Sequence, residues 1–233
     1  MKSLKEKKEK ENHQRQKKLF SYYGAKTKII KHYPKPTYKT IVEPFAGSAR
    51  YSLEYFENNI ILYELFDKVY LIWKYLIQAT EKDILFLPDL KVGDNTKNIK
   101  SLSDVERWLI GYHIGRGSAR PSYKVNERCR WNTDKIRIAN NLFKIRHWKI
   151  YQEDGTNNEW NDATYFIDPP YMVQKHGYNF KNVNYNHIKE KIENGKGQFI
   201  VCGNSTDTWI DFKPLVTMMG NSKQHIECVY IKE

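Results

Sequence analysis

The sequence is poor in cysteine, and the three it has, Cys129, Cys202 and Cys228, stand far apart with no Cys-x-x-Cys pair. That spacing excludes a disulfide framework and a thiolate zinc site, and it fits a reducing interior. The seven histidines form no His-x-x-x-His or His-Glu-x-x-His pattern, so no metal is expected. No apolar run approaches the ~20 residues that a membrane span requires, and residues 1–18, MKSLKEKKEKENHQRQKK, contain no apolar signal core. A soluble, cytoplasmic protein with no membrane partner is expected. The lysine of a phosphate-binding P-loop is also missing, as is a full Gly-x-Gly-x-x-Gly fingerprint, which disfavours a nicotinamide-dependent oxidoreductase.

Acidic residues are in short supply: 27 Asp and Glu face 39 Lys and Arg, leaving a net charge of +12. The excess is uneven. Residues 1–40 hold thirteen Lys and Arg against three Glu, and residues 116–149 hold ten against Glu127 and Asp134. Two concentrated basic blocks point to a polyanionic partner. Residues 1–18 carry no apolar stripe and fit equally a solvated tail or helix and an arm that touches nucleic acid. The whole chain of 233 residues is 40% hydrophobic and 14% aromatic, which suffices for one well-buried domain over residues 19–233.

Within that domain, Thr40–Phe45 and Ile60–Leu65 read as short strands, and Lys68–Ile77 places apolar residues at helical spacing. Residues 88–134, with Pro88, Gly93, Gly111, Gly115, Gly117 and Pro121, look like an irregular insertion carrying one helix around Val105–His113. Asp134–Ile145 is again helical, and Trp148–Gly155 is a strand running into a turn. Thr164–Asp168, Gln198–Cys202 and His225–Ile231 are further strand candidates. Strands alternating with helices predict an α/β fold built on a parallel sheet.

Ligands of such sheets bind at the carboxyl ends of the strands. Four ends are notable here: Glu43-Pro44-Phe45-Ala46-Gly47, Glu64, Asp154, and Asp168 in the run Tyr165-Phe-Ile-Asp-Pro-Pro-Tyr171. The turn Ala46-Gly47-Ser48-Ala49 allows close backbone approach to a ligand. Glu64, 17 residues after Gly47, suits a ribose diol. The two prolines after Asp168 fix two φ angles and remove two backbone donors, so a carboxylate and an aromatic ring are held on a stiff edge.

In order, Leu-Phe-Ser-Tyr-Tyr-Gly-Ala-Lys, Val-Glu-Pro-Phe-Ala-Gly-Ser-Ala, Tyr-Glu-Leu, a basic irregular insertion and Phe-Ile-Asp-Pro-Pro-Tyr resemble the D12-type DNA adenine methylase family, in its phage-like or orphan form. The resemblance runs from about Leu19 to Ile231, and Gly-Arg-Gly-Ser-Ala-Arg-Pro-Ser, Ile-Arg-His-Trp-Lys-Ile and Phe-Ile-Val-Cys-Gly-Asn-Ser add to it. It implies a Rossmann-like class I methyltransferase sheet flanked by helices, with residues 88–134 as a small basic target-recognition insertion. The implied activity is methyl transfer from S-adenosyl-L-methionine to the N6 amine of an adenine in double-stranded DNA. Two positions depart from the family pattern. Ala25 stands where the N-terminal motif has a second glycine, and Ala49 where the loop has its last.

The resemblance assigns Tyr23, Gly24 and Lys26 to the methionine end of the cofactor. Phe45, Ala46, Gly47 and Ser48 wrap it, Glu64 takes its ribose, and Asp154 reaches toward its adenine, although Glu-Asp-Gly is also ordinary turn chemistry. Asp168, Pro169, Pro170 and Tyr171 form the catalytic edge: Asp168 and the Pro169 carbonyl accept the two N6 hydrogens, and Tyr171 stacks on a flipped-out base. Arg116, Arg120, Tyr123, Lys124, Arg128 and Arg130, with Trp131, mix cations and aromatics as a DNA-facing loop does, and Asn204 follows a strand near the flipped base. A charged surface around a buried Trp131 is the competing reading of that block. An RNA adenine methyltransferase and a catalytically silent DNA-binding relative are the competing functions, and monomer and weak dimer both stay open. Residues 1–18, without aromatics or glycine turns, can neutralise phosphates but have little means of reading bases. Their deletion should weaken DNA binding at low salt and flatten its salt dependence while leaving the recognised sequence unchanged, as measured by titrations across a salt series.

Overall fold

The computed structural model describes residues 18–115, 117–172, 183–219 and 224–233. Seven strands form one sheet: β1 (Thr40–Glu43), β2 (Asn59–Tyr63), β3 (Lys149–Tyr151), β4 (Ala163–Ile167), β5 (Gly197–Asn204), β6 (Lys213–Met219) and β7 (Gln224–Lys232). Their spatial order is β3-β2-β1-β4-β5-β7-β6. Pairs from β3 through β5 are parallel, and β7 runs antiparallel to both β5 and β6. This is the Rossmann-like α/β sheet expected from the sequence, with one reversed strand added. The strand order changes direction at β1 and β4, so the crevice outside their carboxyl ends is the place for a ligand.

Burial follows from strand position. All five residues of β4 are buried, as a central parallel strand covered on both faces requires. Its side chains alternate: Phe166 stacks on Tyr51 at 4.4 Å between ring centroids, while Tyr165 stacks on Phe199 at 5.2 Å on the other face. Tyr51 belongs to α1 (Arg50–Glu54), the short helix after the glycine turn. Helix α2 (Asp67–Gln78) buries Val69, Ile72, Trp73 and Leu76, the i, i+3, i+4, i+7 stripe of an amphipathic helix. Helices α3 (Glu81–Leu85) and α4 (Asp104–Ile114) both start on capping boxes, Thr80 with Asp83 and Ser103 with Glu106.

Several boundaries differ from those expected. The helix predicted over Asp134–Ile145 is α5 (Trp131–Ala139) followed by a separate 3-10 turn over Leu142–Ile145. Residues 88–134 are less of an appendage than their composition suggests. Leu109, Ile110, Tyr112 and Trp131 are buried in the main core, and Trp131 Nε1 donates to the Pro88 carbonyl at 2.9 Å. Trp131 is therefore core and not part of an exposed mixture of cations and rings. Strand β6 was not anticipated, because Pro214 breaks its pattern. It is an edge strand, and its register shifts between Pro214 and Val216, the setting in which a sheet tolerates proline.

The segment leading to Lys26 is tied down from outside the sheet. Leu19 and Phe20 are buried, and His113 on α4 bridges the Leu19 carbonyl at 3.1 Å and Asp134 at 2.8 Å. Helix α6 (Tyr185–Asn194) returns the chain from the Asp168 edge to β5 and buries Ile188 and Ile192.

At one crossing of the crevice no side chain fits. A Cβ on Gly155 would stand 2.8 Å from the Cα of Pro44 and 2.8 Å from the Cβ of Tyr63, atoms that cannot rotate away. Gly155→Ala should therefore lower the unfolding free energy by about 1–3 kcal/mol, measured by urea denaturation; an unchanged midpoint would show that this crossing is loose.

Candidate functional site

Strand β1 ends at Glu43, and Pro44 stops the ladder. The chain then turns through Phe45–Ala49 into α1. Gly47 (φ +46°) and Ala49 (φ +43°) both occupy the left-handed region. Gly47 adopts it freely. Ala49 carries a buried methyl there at a cost of roughly 1–2 kcal/mol, so the left-handed backbone is kept without a glycine. Ala25 meets no such demand, since Gly24 (φ +77°) makes the turn beside it.

The turn is held by Glu64, immediately after β2. One carboxylate oxygen accepts from the Gly47 N–H at 3.0 Å and the other from the Phe66 N–H at 2.9 Å. The Gly47 carbonyl accepts from Trp73 Nε1 at 2.9 Å. Burial pushes the Glu64 carboxyl up to about 7 against the pull of these backbone donors. Glu43 is more deeply buried and is pushed up to about 8, although Ser52 donates to it at 2.7 Å. A carboxylate has about four lone-pair positions, so Glu64 retains acceptor capacity beside its two backbone bonds.

A cavity of about 270 Å³ opens over this turn. Every residue that the sequence assigned to the cofactor lines it: Tyr23, Gly24, Lys26, Phe45, Ala46, Gly47, Ser48, Glu64 and Asp154. Asp168 and Pro170 line it too, at the end of β4. Asp154 caps the turn that follows it, accepting from the Thr156 N–H at 2.9 Å and the Thr156 hydroxyl at 2.6 Å. Asn157, Asn184 and His187 also face the cavity and were not foreseen.

The edge beyond Asp168 is fixed by three contacts. The Tyr185 hydroxyl donates to the Pro170 carbonyl at 2.7 Å, and the buried Asp207 accepts from the Met172 N–H and the Asn204 N–H at 2.9 Å each. The Tyr171 hydroxyl donates to Glu227 at 2.8 Å. Tyr171 is 7% exposed, and it lines a second cavity of about 830 Å³ on the far side of the Tyr22–Lys26 segment. Asn204, Gly117, Met218 and Glu227 share that cavity, whereas Pro169 is buried and borders neither.

Between the two cavities lies Lys26. Its ammonium is 2.9 Å from Asp168 Oδ1, 3.5 Å from Glu227 Oε1 and 4.9 Å from the centre of the Tyr171 ring. Burial alone would depress Lys26, but Asp168, Tyr171 and Glu227 outweigh it and hold the group protonated, well above its ordinary range. Burial raises Asp168, and Glu227 adds to that, against the lowering effect of Lys26. Glu227 and its partner Tyr33 (2.6 Å) were not foreseen. The available signal was a carboxylate inside the apolar run His225-Ile-Glu-Cys-Val-Tyr, which cannot be buried without partners.

The side chains expected at nucleic acid are less gathered. Arg120, Lys124, Arg128 and Arg130 are exposed, while Tyr123 is half-buried and lies under Lys97, whose ammonium is 4.6 Å from the ring. Arg116 lies outside the described residues. Among the described residues no cluster of His, Cys, Asp and Glu is placed to hold a metal, and no helix is long and apolar enough to cross a membrane.

Neither a protein-family model nor a curated protein sequence matches the chain. Solved structures with a similar course include a candidate methyltransferase of Escherichia coli, yhhF, at 10% identity and TM-score 0.38, over 83% of this chain and 75% of that one. A conserved hypothetical protein of Streptococcus pyogenes aligns at 10% identity and TM-score 0.37, over 83% and 86%. A candidate methylase of Haemophilus influenzae aligns at 11% and 0.36, over 82% and 85%. Likeness at this level assigns neither an activity nor a substrate.

The raised carboxyls make stability depend on pH. A group that binds its proton more tightly when folded stabilises fully below its unfolded value, here 4.5, and that contribution is lost as pH rises through the folded value. The ligand-free protein should therefore lose melting temperature through about pH 7 on account of Glu64 and through about pH 8 on account of Glu43. Glu43→Gln should remove the upper part of that decline in calorimetry from pH 5 to 9. Parallel profiles for the variant and wild type would contradict the assignment.

Proposed function

We propose that the chain transfers a methyl group from S-adenosyl-L-methionine to the N6 amine of an adenine flipped out of double-stranded DNA. The observation that carries this reading is the meeting, in one cavity, of the glycine turn, the Glu64 carboxylate tied to it, and Asp168 on its proline-stiffened edge. The residues present suit the cofactor. Glu64 offers a charged acceptor for two ribose hydroxyls, and the turn lets backbone come close. The carboxylates around Lys26 leave the site negative where a sulfonium would sit. S-adenosyl-L-methionine supplies an electrophilic methyl carbon on that sulfonium.

The protein's part is to make a poor nucleophile attack. The N6 lone pair of adenine is delocalised into its ring. Asp168 accepts an N6 hydrogen, which draws the nitrogen toward tetrahedral geometry and stabilises its growing positive charge. As the N–C bond forms and the S–C bond breaks, the nitrogen sheds a proton that Asp168 passes toward solvent. Asp168 keeps 21% of its side-chain surface open, which leaves that route available. Tyr171 and Asn204 line the second cavity, the side from which a flipped base approaches. In this reading Lys26 serves Asp168, and the methionine end of the cofactor falls to Tyr23 and Gly24. The exposed Arg120, Lys124, Arg128 and Arg130 supply phosphate contacts.

Asp168→Ala tests the reading directly. Loss of the acceptor at the reacting nitrogen should slow transfer by about 10²–10³-fold or more, with cofactor affinity by calorimetry within a few-fold of wild type. Near wild-type rates in a tritiated methyl assay would sink the proposal. Glu64→Ala should do the reverse and weaken cofactor binding by an amount equivalent to about 1.5–3 kcal/mol.

A further inference from the structure

Resting on the methyl-transfer reading of this cavity, we propose that Glu227 is a positioning residue: its charge shares the Lys26 ammonium with Asp168, so that Asp168 remains a strong acceptor toward the target amine. Glu227 sits on the reversed strand β7, opposite Asn204 of β5 in the antiparallel register. It is buried, and one oxygen serves three partners: the Tyr33 hydroxyl at 2.6 Å, the Tyr171 hydroxyl at 2.8 Å and the Lys26 ammonium at 3.5 Å. The same ammonium is 2.9 Å from Asp168.

One cation between the buried Glu227 and the partly buried Asp168 leaves a net negative charge at the cluster. Without Glu227, Lys26 and Asp168 would form a closed one-to-one pair. A carboxylate in such a pair accepts more weakly from a third group and gains less when positive charge grows on it. Tyr33 and Tyr171 fix the Glu227 rotamer, and the Tyr171 bond also anchors the far end of the Asp-Pro-Pro-Tyr edge. Among the described residues, the charged or titratable groups that enter this balance from neighbouring elements are Lys26 before the first strand, Tyr33 after the short 3-10 turn Ile30–His32, Glu43 on β1, Asp168 and Tyr171 after β4, and Cys202 on β5. Glu227 raises Asp168, so its removal should lower it.

Glu227→Gln separates charge from shape, because the amide oxygen can still accept from both tyrosines. In full-length protein with a DNA substrate, kcat should fall about 10–100-fold, while the cofactor Kd and the KM for DNA stay within about threefold. The acid limb of the kcat–pH profile should move to lower pH. Tyr33→Phe, which removes a hydrogen bond from Glu227 but no charge, should keep kcat within about threefold of wild type. Glu227→Asp, which keeps the charge, should restore most of the rate and the acid limb, and it carries the test if the glutamine variant does not fold. A glutamine variant with wild-type kcat and an unmoved acid limb overturns the inference, as does Tyr33→Phe losing as much rate as Glu227→Gln. Wild-type protein that methylates no adenine overturns both the inference and the reading beneath it, whereas an active wild type with an inert Asp168→Ala isolates failure to Glu227.

Discussion

A single buried ammonium, Lys26, organises the centre of this protein. Moving a charge out of water is costly unless partners replace its hydration, and here they are Asp168, Glu227, the Gly24 carbonyl and the face of Tyr171. Those partners come from separate parts of the chain. Asp168 and Tyr171 follow β4, Glu227 lies on β7, and Lys26 belongs to the segment before β1. The cluster can therefore form only when β4, β5 and β7 lie side by side and the N-terminal segment crosses their ends. The reversed strand thus delivers a carboxylate to the site from a direction that an all-parallel sheet lacks.

The second constraint is backbone proximity over the crevice. Gly47 bends into the left-handed region and is locked there by Glu64 and Trp73, while a Cβ on Gly47 would meet the Tyr22 ring at 3.3 Å. Gly155 lets the loop after β3 cross Pro44 and Tyr63 without a side chain. These close crossings keep the walls near each other and place one acidic group at each strand end. Ala49 accepts a strained conformation in the same turn, a local cost maintained by packing around a methyl that is 1% exposed.

Much of this was legible in the sequence because it is local. The glycine turn, the carboxylate after the next strand and the proline-stiffened edge are each set by residues within a few positions, and a strand-end residue in an α/β sheet faces the crevice by construction. The partners of Lys26 were not legible, since Glu227 is 201 positions away and only the strand order brings it near. Trp131 was grouped with a DNA-facing loop because cations and aromatics alternate around it, and the competing reading, a charged surface around a buried Trp131, is the one its side chain follows. Strand β6 went unread because Pro214 removes a donor, and only its place at the sheet edge makes that tolerable. The carboxylate in β7 was readable as a buried charge but not as a neighbour of Asp168.

On the proposed reading, the Lys26–Asp168–Glu227 cluster faces an adenine amine in DNA and a methyl donor at once. Long-read modification mapping of cellular DNA, with and without expression of this protein, reports base, atom and sequence context together. N6-methyladenine is expected at a defined short sequence when the wild-type protein is present and none when Asp168→Ala replaces it. Unmodified DNA with the wild-type protein, or methylation on cytosine, would contradict that reading.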